Sequence, residues 1–496
     1  MQGAQQVGGG VQMAVALALL LLIAAATWLK VRSAKHDGSE KDVFLAGGGL
    51  SWIFVAGSIT LTNLSTDQLV GMNGNQMLLL AWWEISGFVG LMILALVFVP
   101  IYYRNNCTTV TELLERRYQG DATSVRTLIS ALFLFGNILI YLPAGLYSGG
   151  LFLQSLFGND VPLIVFAALL AIISAAYTIA GGLRAVAVMD TYSGFGVLAI
   201  AVLIVILALF AVNFDLVSGV PAERISMIGA ADSPIPFHTL FTGMIFIQIF
   251  YWSTNQNITQ KAMTAPTVRE AQKGVLAAAV VRILIIPIIV TVPGVVAYKL
   301  MGNVGDRAFG LLVAQVLPPW LSGAFAAMIA AAVIAHTSAV LNSTVALYAI
   351  DFHDRFVGKV KDHWRLSALA SIAVTISSVA LVPLYQNATS IINLLQKLNG
   401  LSSMPILSAF IVGLLFRGVG ARAATAGVIW GVALYALFSF VLEPQGLIGL
   451  HYIDFMVVTL ATSVLFALIV NRVVLGRRAV FIGFGRSAAT GPGHRV

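Results

Sequence analysis

Thirteen apolar runs, most of them about 20 residues or longer, follow one another between residues 11 and 474. That length is what an α-helix needs to cross a bilayer. Lipid offers the backbone no water to bond, so each run must close its hydrogen bonds within its own helix. The runs are span 0 (11–31), span 1 (49–79), span 2 (80–103), span 3 (124–156), span 4 (160–180), span 5 (186–213), span 6 (239–255), span 7 (272–300), span 8 (310–352), span 9 (366–386), span 10 (390–416), span 11 (421–443) and span 12 (451–474). Composition points the same way. Hydrophobic residues make up 59% and charged residues 10%, with mean hydropathy +0.93, where soluble domains carry about 25% charge. The first run, VQMAVALALLLLIAAATWLK, is longer than a signal-peptide core of roughly 7–15 residues, and its basic cluster follows it. It reads as a retained span.

Lys and Arg in short loops stay on the cytoplasmic side. With the N-terminus outside, the alternate loops 0–1, 2–3, 4–5, 6–7, 8–9 and 10–11 and the C-terminal tail hold 23 of the 28 Lys and Arg. The expected orientation is therefore an N-terminus outside, which in a bacterial inner membrane is the periplasmic side, and a cytoplasmic C-terminus. It accounts for the net charge of +8 without a nucleic-acid partner. The single cysteine, Cys107, permits no intrachain disulfide and forms no metal or redox motif.

Two spans are interrupted by polar runs: TNLSTDQ (62–68) and then GMNGN (71–75) in span 1, and YWSTNQNITQ (251–260) in span 6. Irregular backbone at membrane depth is tolerated only where it lines a cavity or is buried in protein. The interruptions open two successive five-helix blocks and share a spacing, Thr62-Asn63-x4-Gln68 against Thr254-Asn255-x4-Gln260. An odd number of helices per block inverts the second block relative to the first. Paired breaks at matching positions of inverted halves point to the binding site of a transporter. The fold class expected is an all-α integral membrane protein with an inverted five-plus-five-helix repeat. Residues 1–48 are an extra helix and loop, 49–213 the first repeat, 214–238 an external loop and 239–416 the second repeat. Two accessory helices (417–474) and a basic tail (475–496), expected to be disordered, complete the chain.

Charges inside spans are costly and mark functional candidates. They are Asp67, Glu84, Asp190, Arg282, His336 and Lys397. Glu84, in AWWEISG, sits beside Trp82 and Trp83, an arrangement suited to sugar hydroxyls and C–H faces; an interfacial tryptophan belt is the other reading. Arg282 cannot be deprotonated and needs oxygens nearby; Glu84 is its candidate partner, with a purely structural ion pair as the alternative. The amides Gln68, Gln248, Asn255, Gln256, Asn257 and Gln396 donate and accept at once, matching neutral hydroxylated solutes, although any one could equally be a helix–helix bond. Asp351, His353 and Asp354, in AIDFHDRF, read as a solvated helix end more readily than as a metal site.

The stretches TNLSTDQLVGMNG (62–74), AGGLRAVAVMD (180–190), YWSTNQNITQKAMTAPTVREAQKG (251–274) and AVLNST (339–344) resemble the sodium/solute symporter family, and its sodium/galactose branch in particular. The resemblance, over roughly residues 45–475, implies alternating access, a sugar-like solute at mid-membrane and a bacterial inner-membrane location. It carries the sugar-contacting positions to Gln68, Glu84, Gln248, Arg282 and Gln396, and the inner-gate tyrosine to Tyr251 with Trp252 beside it. Gln248 stands where asparagine is usual and Arg282 where lysine is, so galactose itself is not implied. Asp190 matches an aspartate on the sodium exit path.

The family's sodium is held by backbone carbonyls at positions equivalent to Leu61, Leu64 and Ala332 and by two hydroxyls equivalent to Ala335 and His336. Both hydroxyls are gone. Alanine offers no oxygen, and histidine changes charge within the physiological range. The leading expectation is that His336 replaces sodium, giving proton-coupled or sodium-independent transport. The alternatives are a neutral buried histidine bonded to a carbonyl, or a conventional sodium symporter in which Thr337 and Ser338 rebuild the site. No cofactor and no protein partner are expected beyond the solute and the bilayer. A membrane-embedded enzyme would need a nucleophile–base pair or a GxSxG or HExxH motif, and neither motif occurs. A receptor would need a signalling domain, and only a short tail follows span 12.

Overall fold

A computed structural model describes residues 2–32, 48–64, 66–118, 123–157, 161–229, 233, 235–359, 362–386 and 391–483. Within its helices the side chains of 2–9, 30–32, 61–63, 67, 123, 181–187 and 190–192 lie outside the described set. Among the described residues, 11 helices are long and apolar enough to cross a membrane. Spans 1 and 6 are not among them, because each is cut into two short helices.

Span 1 runs as Trp52–Asn63 and then Thr66–Gly74, with Leu64 leaving the helix at ψ 52. Span 6 runs as Gly243–Ile249 and a π-helical turn Phe250–Thr254. Asn255 is then extended (φ −79, ψ 128), and helix Gln256–Ala262 follows. Span 6 is thus longer than the expected 239–255, and span 1 ends at Gly74 instead of 79. One carbonyl at the break of span 6 finds a side-chain partner, and the break is tied to span 2. Tyr102 Oη donates to the Ser253 carbonyl (3.0 Å), and Ser253 Oγ donates to the Gly90 carbonyl (3.1 Å).

Span 7, Val268–Met301, shows the same accounting. Pro293 has no N–H for the Ile289 carbonyl four residues earlier. Asn73 Nδ2 from span 1 takes that carbonyl at 3.2 Å, while Asn73 Oδ1 accepts from Gly294 N at 2.7 Å. One asparagine therefore repairs the proline gap and locks span 1 to span 7.

Span 8 does not run unbroken over 310–352. Helix Ala308–Val316 stops, and the tandem Pro318–Pro319 restarts the chain as Pro319–Leu347, continued by π turns to Val357. This span is buried along nearly its whole length, as a helix apolar on every side should be. Span 0, within helix Gln2–Arg32, packs on it, with Gln12 Nε2 donating to Ser322 Oγ at 2.8 Å. Spans 4 and 5 both lie within the helical segment Leu163–Ala211. Ser338 Oγ bonds the Ser174 carbonyl, whereas Gly196 lies against Met328, ten residues back along span 8. A straight rod could not make both contacts, so the chain doubles back between them.

The expectation of a disordered tail is corrected for its first part. Val480–Phe481 pairs antiparallel with Phe416–Arg417, and residues 484–496 lie outside the described set.

Between spans 7 and 8, Asp306 packs against Gly74 at the end of span 1 and accepts from Ile391 N (3.1 Å) at the start of span 10. Burial pushes its carboxyl up to about 6, against the opposing pull of the Ile391 N–H. An unfolded aspartate titrates near 3.9, so between the two values the folded state holds more protons and stability falls as pH rises. Asp306→Asn should therefore raise stability at pH 7.5 by about 1–3 kcal/mol. The gain should vanish by pH 4 in detergent thermal melts.

Candidate functional site

The break of span 6 and the start of span 2 meet over a seam of small residues. A Cβ on Gly87 would lie 2.7 Å from Arg282 Nε, and one on Gly90 would lie 2.7 Å from Trp252 Cδ1. Only glycine at these two positions lets the guanidinium and the indole come so close to span 2.

Into this seam the structure brings six of the expected site residues. Arg282 Nη2 pairs with Glu84 Oε2, and their side chains are 4% and 0% exposed. Gln68 Nε2 donates to Glu84 Oε1. The Arg282 guanidinium lies over the Trp252 ring, 4.4 Å from its centroid, a cation–π contact that dispersed charge suits. Trp252 Nε1 donates to Gln248 Oε1 at 3.0 Å, and Gln248 Nε2 donates to the Trp83 carbonyl at 2.6 Å and to Ser86 Oγ at 3.0 Å. Tyr251 stands edge-on to Trp252, centroids 5.3 Å apart. The result is a connected polar chain, Gln68–Glu84–Arg282–Trp252–Gln248, joining spans 1, 2, 6 and 7. Glu84 is no interfacial carboxylate; Trp82, its neighbour, is the one that reaches outward, to the Met227 carbonyl.

Two expected residues stand apart. Asn255 caps Gln256–Ala262 by accepting from Asn257 N at 2.9 Å. Gln396, on span 10, is buried, and no hydrogen bond to its Oε1 occurs among the described residues.

At the cation-site equivalents, Leu64, Ala332, Ala335 and His336 are all buried. Leu61 and Asp190 are helical, with side chains outside the described set. The His336 ring faces span 3: a Cβ on Gly145 would lie 3.2 Å from its Cδ2 and 3.6 Å from its Nε2. Ser338 is committed to the Ser174 carbonyl of span 4 at 2.9 Å. Lys397 pairs with Glu443 at 2.6 Å.

The reading of AIDFHDRF as a solvated end fails at Asp351, which is 0% exposed. Its carboxylate accepts from Arg126 Nε (2.7 Å), Thr111 Oγ1 (2.6 Å) and Ser130 Oγ. Arg126 also meets Glu115 and, at 3.8 Å, Glu112; Arg355 pairs with Glu115. Burial raises the Glu115 carboxyl, but Arg126 and Arg355 outweigh it and hold the group below its ordinary range. His353 instead turns to the Gly358 carbonyl (3.0 Å). Among the described residues, no three His, Cys, Asp or Glu side chains are grouped to hold a metal.

Lys261 was also outside the expected set. It is 1% exposed, and its Nζ donates to the Ser58 carbonyl of span 1 at 3.3 Å. The signal for it was the shared spacing that ends on Gln260, which carries span 6 past its break.

The profile of the sodium:solute symporter family matches residues 43–431. The chain is 32% identical over 477 residues to the symporter YidK of Escherichia coli (strain K12), covering 91% of this chain and 82% of that one. It is 27% identical over 464 residues to the sodium/glucose cotransporter of Vibrio parahaemolyticus, with 86% and 84% covered. A substrate-bound, outward-open sodium-coupled sialic acid symporter shares the fold, with TM-score 0.78 over 95% of this chain and 99% of that chain at 18% identity. With two broken helices, an ion-paired amide-rich cluster beside them and these relatives, the chain belongs to the sodium:solute symporter family, a multi-pass membrane protein that works as a secondary solute transporter and not as an enzyme.

Proposed function

We propose that this transporter carries a neutral, hydroxyl-rich, sugar-like solute across a bacterial inner membrane, and that it does so without sodium at the family's usual cation position. The observation carrying the solute reading is the Gln68–Glu84–Arg282–Trp252–Gln248 chain. The ion pair cancels its own charge, so it favours a solute that brings none. It still offers acceptor oxygens, amide donors and an indole face, the groups that bind sugar hydroxyls and C–H faces. The relative named for glucose supports the same class.

The cation reading rests on chemistry at span 8. Sodium wants oxygen ligands, and the two hydroxyl positions hold a methyl group at Ala335 and an imidazole at His336. Ser338, one candidate for a rescued site, is already bonded to span 4. His336 stands as a cation surrogate: as proton carrier it gives symport with protons, and as a fixed group it gives facilitated transport.

A thermal-shift panel of D-glucose, D-galactose, myo-inositol and D-gluconate, with and without sodium and at two pH values, tests the solute class. A neutral member should stabilise the protein, and Gln396→Ala should weaken that member about threefold to tenfold, the loss of one hydrogen bond. Preference for gluconate over every neutral solute would refute the reading.

A further inference from the structure

Three asparagines form a cluster one turn beyond the Tyr251–Trp252 pair. Asn137 of span 3, Asn255 at the break of span 6 and Asn257 after it are 2%, 1% and 8% exposed. Asn257 Nδ2 donates to Asn137 Oδ1 at 3.2 Å, and Asn257 N donates to Asn255 Oδ1 at 2.9 Å. Among the described residues, Asn137 Nδ2, Asn255 Nδ2 and Asn257 Oδ1 have no partner. Buried polar atoms are otherwise almost always paired. The backbone is irregular at both sides of the cluster. Asn137 opens a π-helical turn, Asn137–Tyr141, and Asn255 directly follows the turn Phe250–Thr254. Such turns gather at functional sites.

Span 3 lies antiparallel on span 8. Ser130 meets Asp351, Gly145 meets His336 and Gly149 meets Val333. That register brings Asn137 to the depth of Asn342 and Ser343. Both amide atoms of Asn342 and the hydroxyl of Ser343 are also buried and unpartnered among the described residues. At this layer span 8 therefore adds unpaired neutral donors and acceptors at the same depth as the asparagine cluster.

We infer that this layer is a second solute station, on the cytoplasmic side of the Tyr251–Trp252 pair, that holds hydroxyl groups of a neutral polyhydroxylated solute on its way out. The inference rests on the solute class proposed above. Two free N–H donors and one free carbonyl oxygen complement one hydroxyl, which accepts through two lone pairs and donates once. Amides without charge bind such a solute without the desolvation cost of an ion. Water has the same complement, so the test must separate the two.

Right-side-out and inside-out membrane vesicles give the Michaelis constant from each face, using whichever of radiolabelled D-glucose, D-galactose or myo-inositol is transported. Asn137→Ala and Asn257→Ala should raise the ratio of the cytoplasmic-face to the external-face constant by about threefold to tenfold. Gln396→Ala should raise both constants together. Asn137→Ser and Asn257→Ser carry the test if an alanine variant fails to fold. A ratio unchanged in every folded variant would mean that the layer holds only water and would overturn the inference while leaving the solute class standing. Absence of saturable transport for all three solutes would overturn the solute class, and this station with it.

Discussion

Glu84→Ala is expected to lower stability by about 3–5 kcal/mol, because it leaves Arg282 charged and uncompensated in a buried site. The two side chains have 0% and 4% of their surface exposed, so water cannot take the place of the lost partner. Transport should fall roughly 100-fold, as an ionic acceptor and the Gln68 contact disappear together. Stability and transport can be separated. In Glu84→Gln combined with Arg282→Met no buried charge stays unpaired, so thermal stability should return toward the parent value. Transport should stay lost, since neither the carboxylate nor the guanidinium over Trp252 is restored. Melting curves with uptake on the single and double variants check both halves. Full transport in the double variant would show that the ion pair is structural only.

The second large effect is expected 225 residues apart in sequence, at Arg126 and Asp351. Arg126→Ala should cost about 3–5 kcal/mol, the loss expected when one partner of a buried pair is removed. It leaves Asp351, with no exposed surface, facing only the hydroxyls of Thr111 and Ser130. Asp351→Ala should cost less, because Arg126 keeps Glu115 and Glu112. The asymmetry comes from the number of remaining partners and not from the strength of one contact. Urea or thermal unfolding of the two variants, compared side by side, measures it; equal losses would contradict the network as described. These contacts join helix Val110–Tyr118 to spans 3 and 8, where Gln256 of span 6 is also tied, through Val110 N at 2.8 Å. Loosening them should therefore disturb the balance between the two access states as well as stability.

The sequence revealed what bilayer physics makes costly. Polar runs at membrane depth are rare, so TNLSTDQ and YWSTNQNITQ located both breaks, and the structure puts non-helical backbone at Leu64 and Asn255. Lone charges in lipid need partners, so the sequence points to a Glu84–Arg282 pair, and the structure contains it. The Asp351 network had no such signature. Thr111, Glu115, Arg126, Ser130 and Arg355 come from segments near span ends, where charge is ordinary, and only tertiary packing tells a buried end from a solvated one. Lys261 was hidden by ending span 6 at its break; a helix can resume after an extended residue when a side-chain cap such as Asn255 restarts it. The tandem Pro318–Pro319 was a legible stop that the surrounding apolar run outweighed. Gly145 shows a different limit: a glycine in an apolar helix looks incidental until the imidazole it admits is placed beside it.

The central proposal is that the imidazole of His336 and the methyl group of Ala335 stand where the family resemblance places the hydroxyl ligands of sodium. Uptake of the stabilising solute into proteoliposomes, with all sodium replaced by potassium on both faces, tests it most directly. The account predicts that uptake persists at an undiminished initial rate, and that an imposed pH gradient then drives accumulation or leaves the solute at equilibrium. Uptake that requires sodium strictly would contradict it.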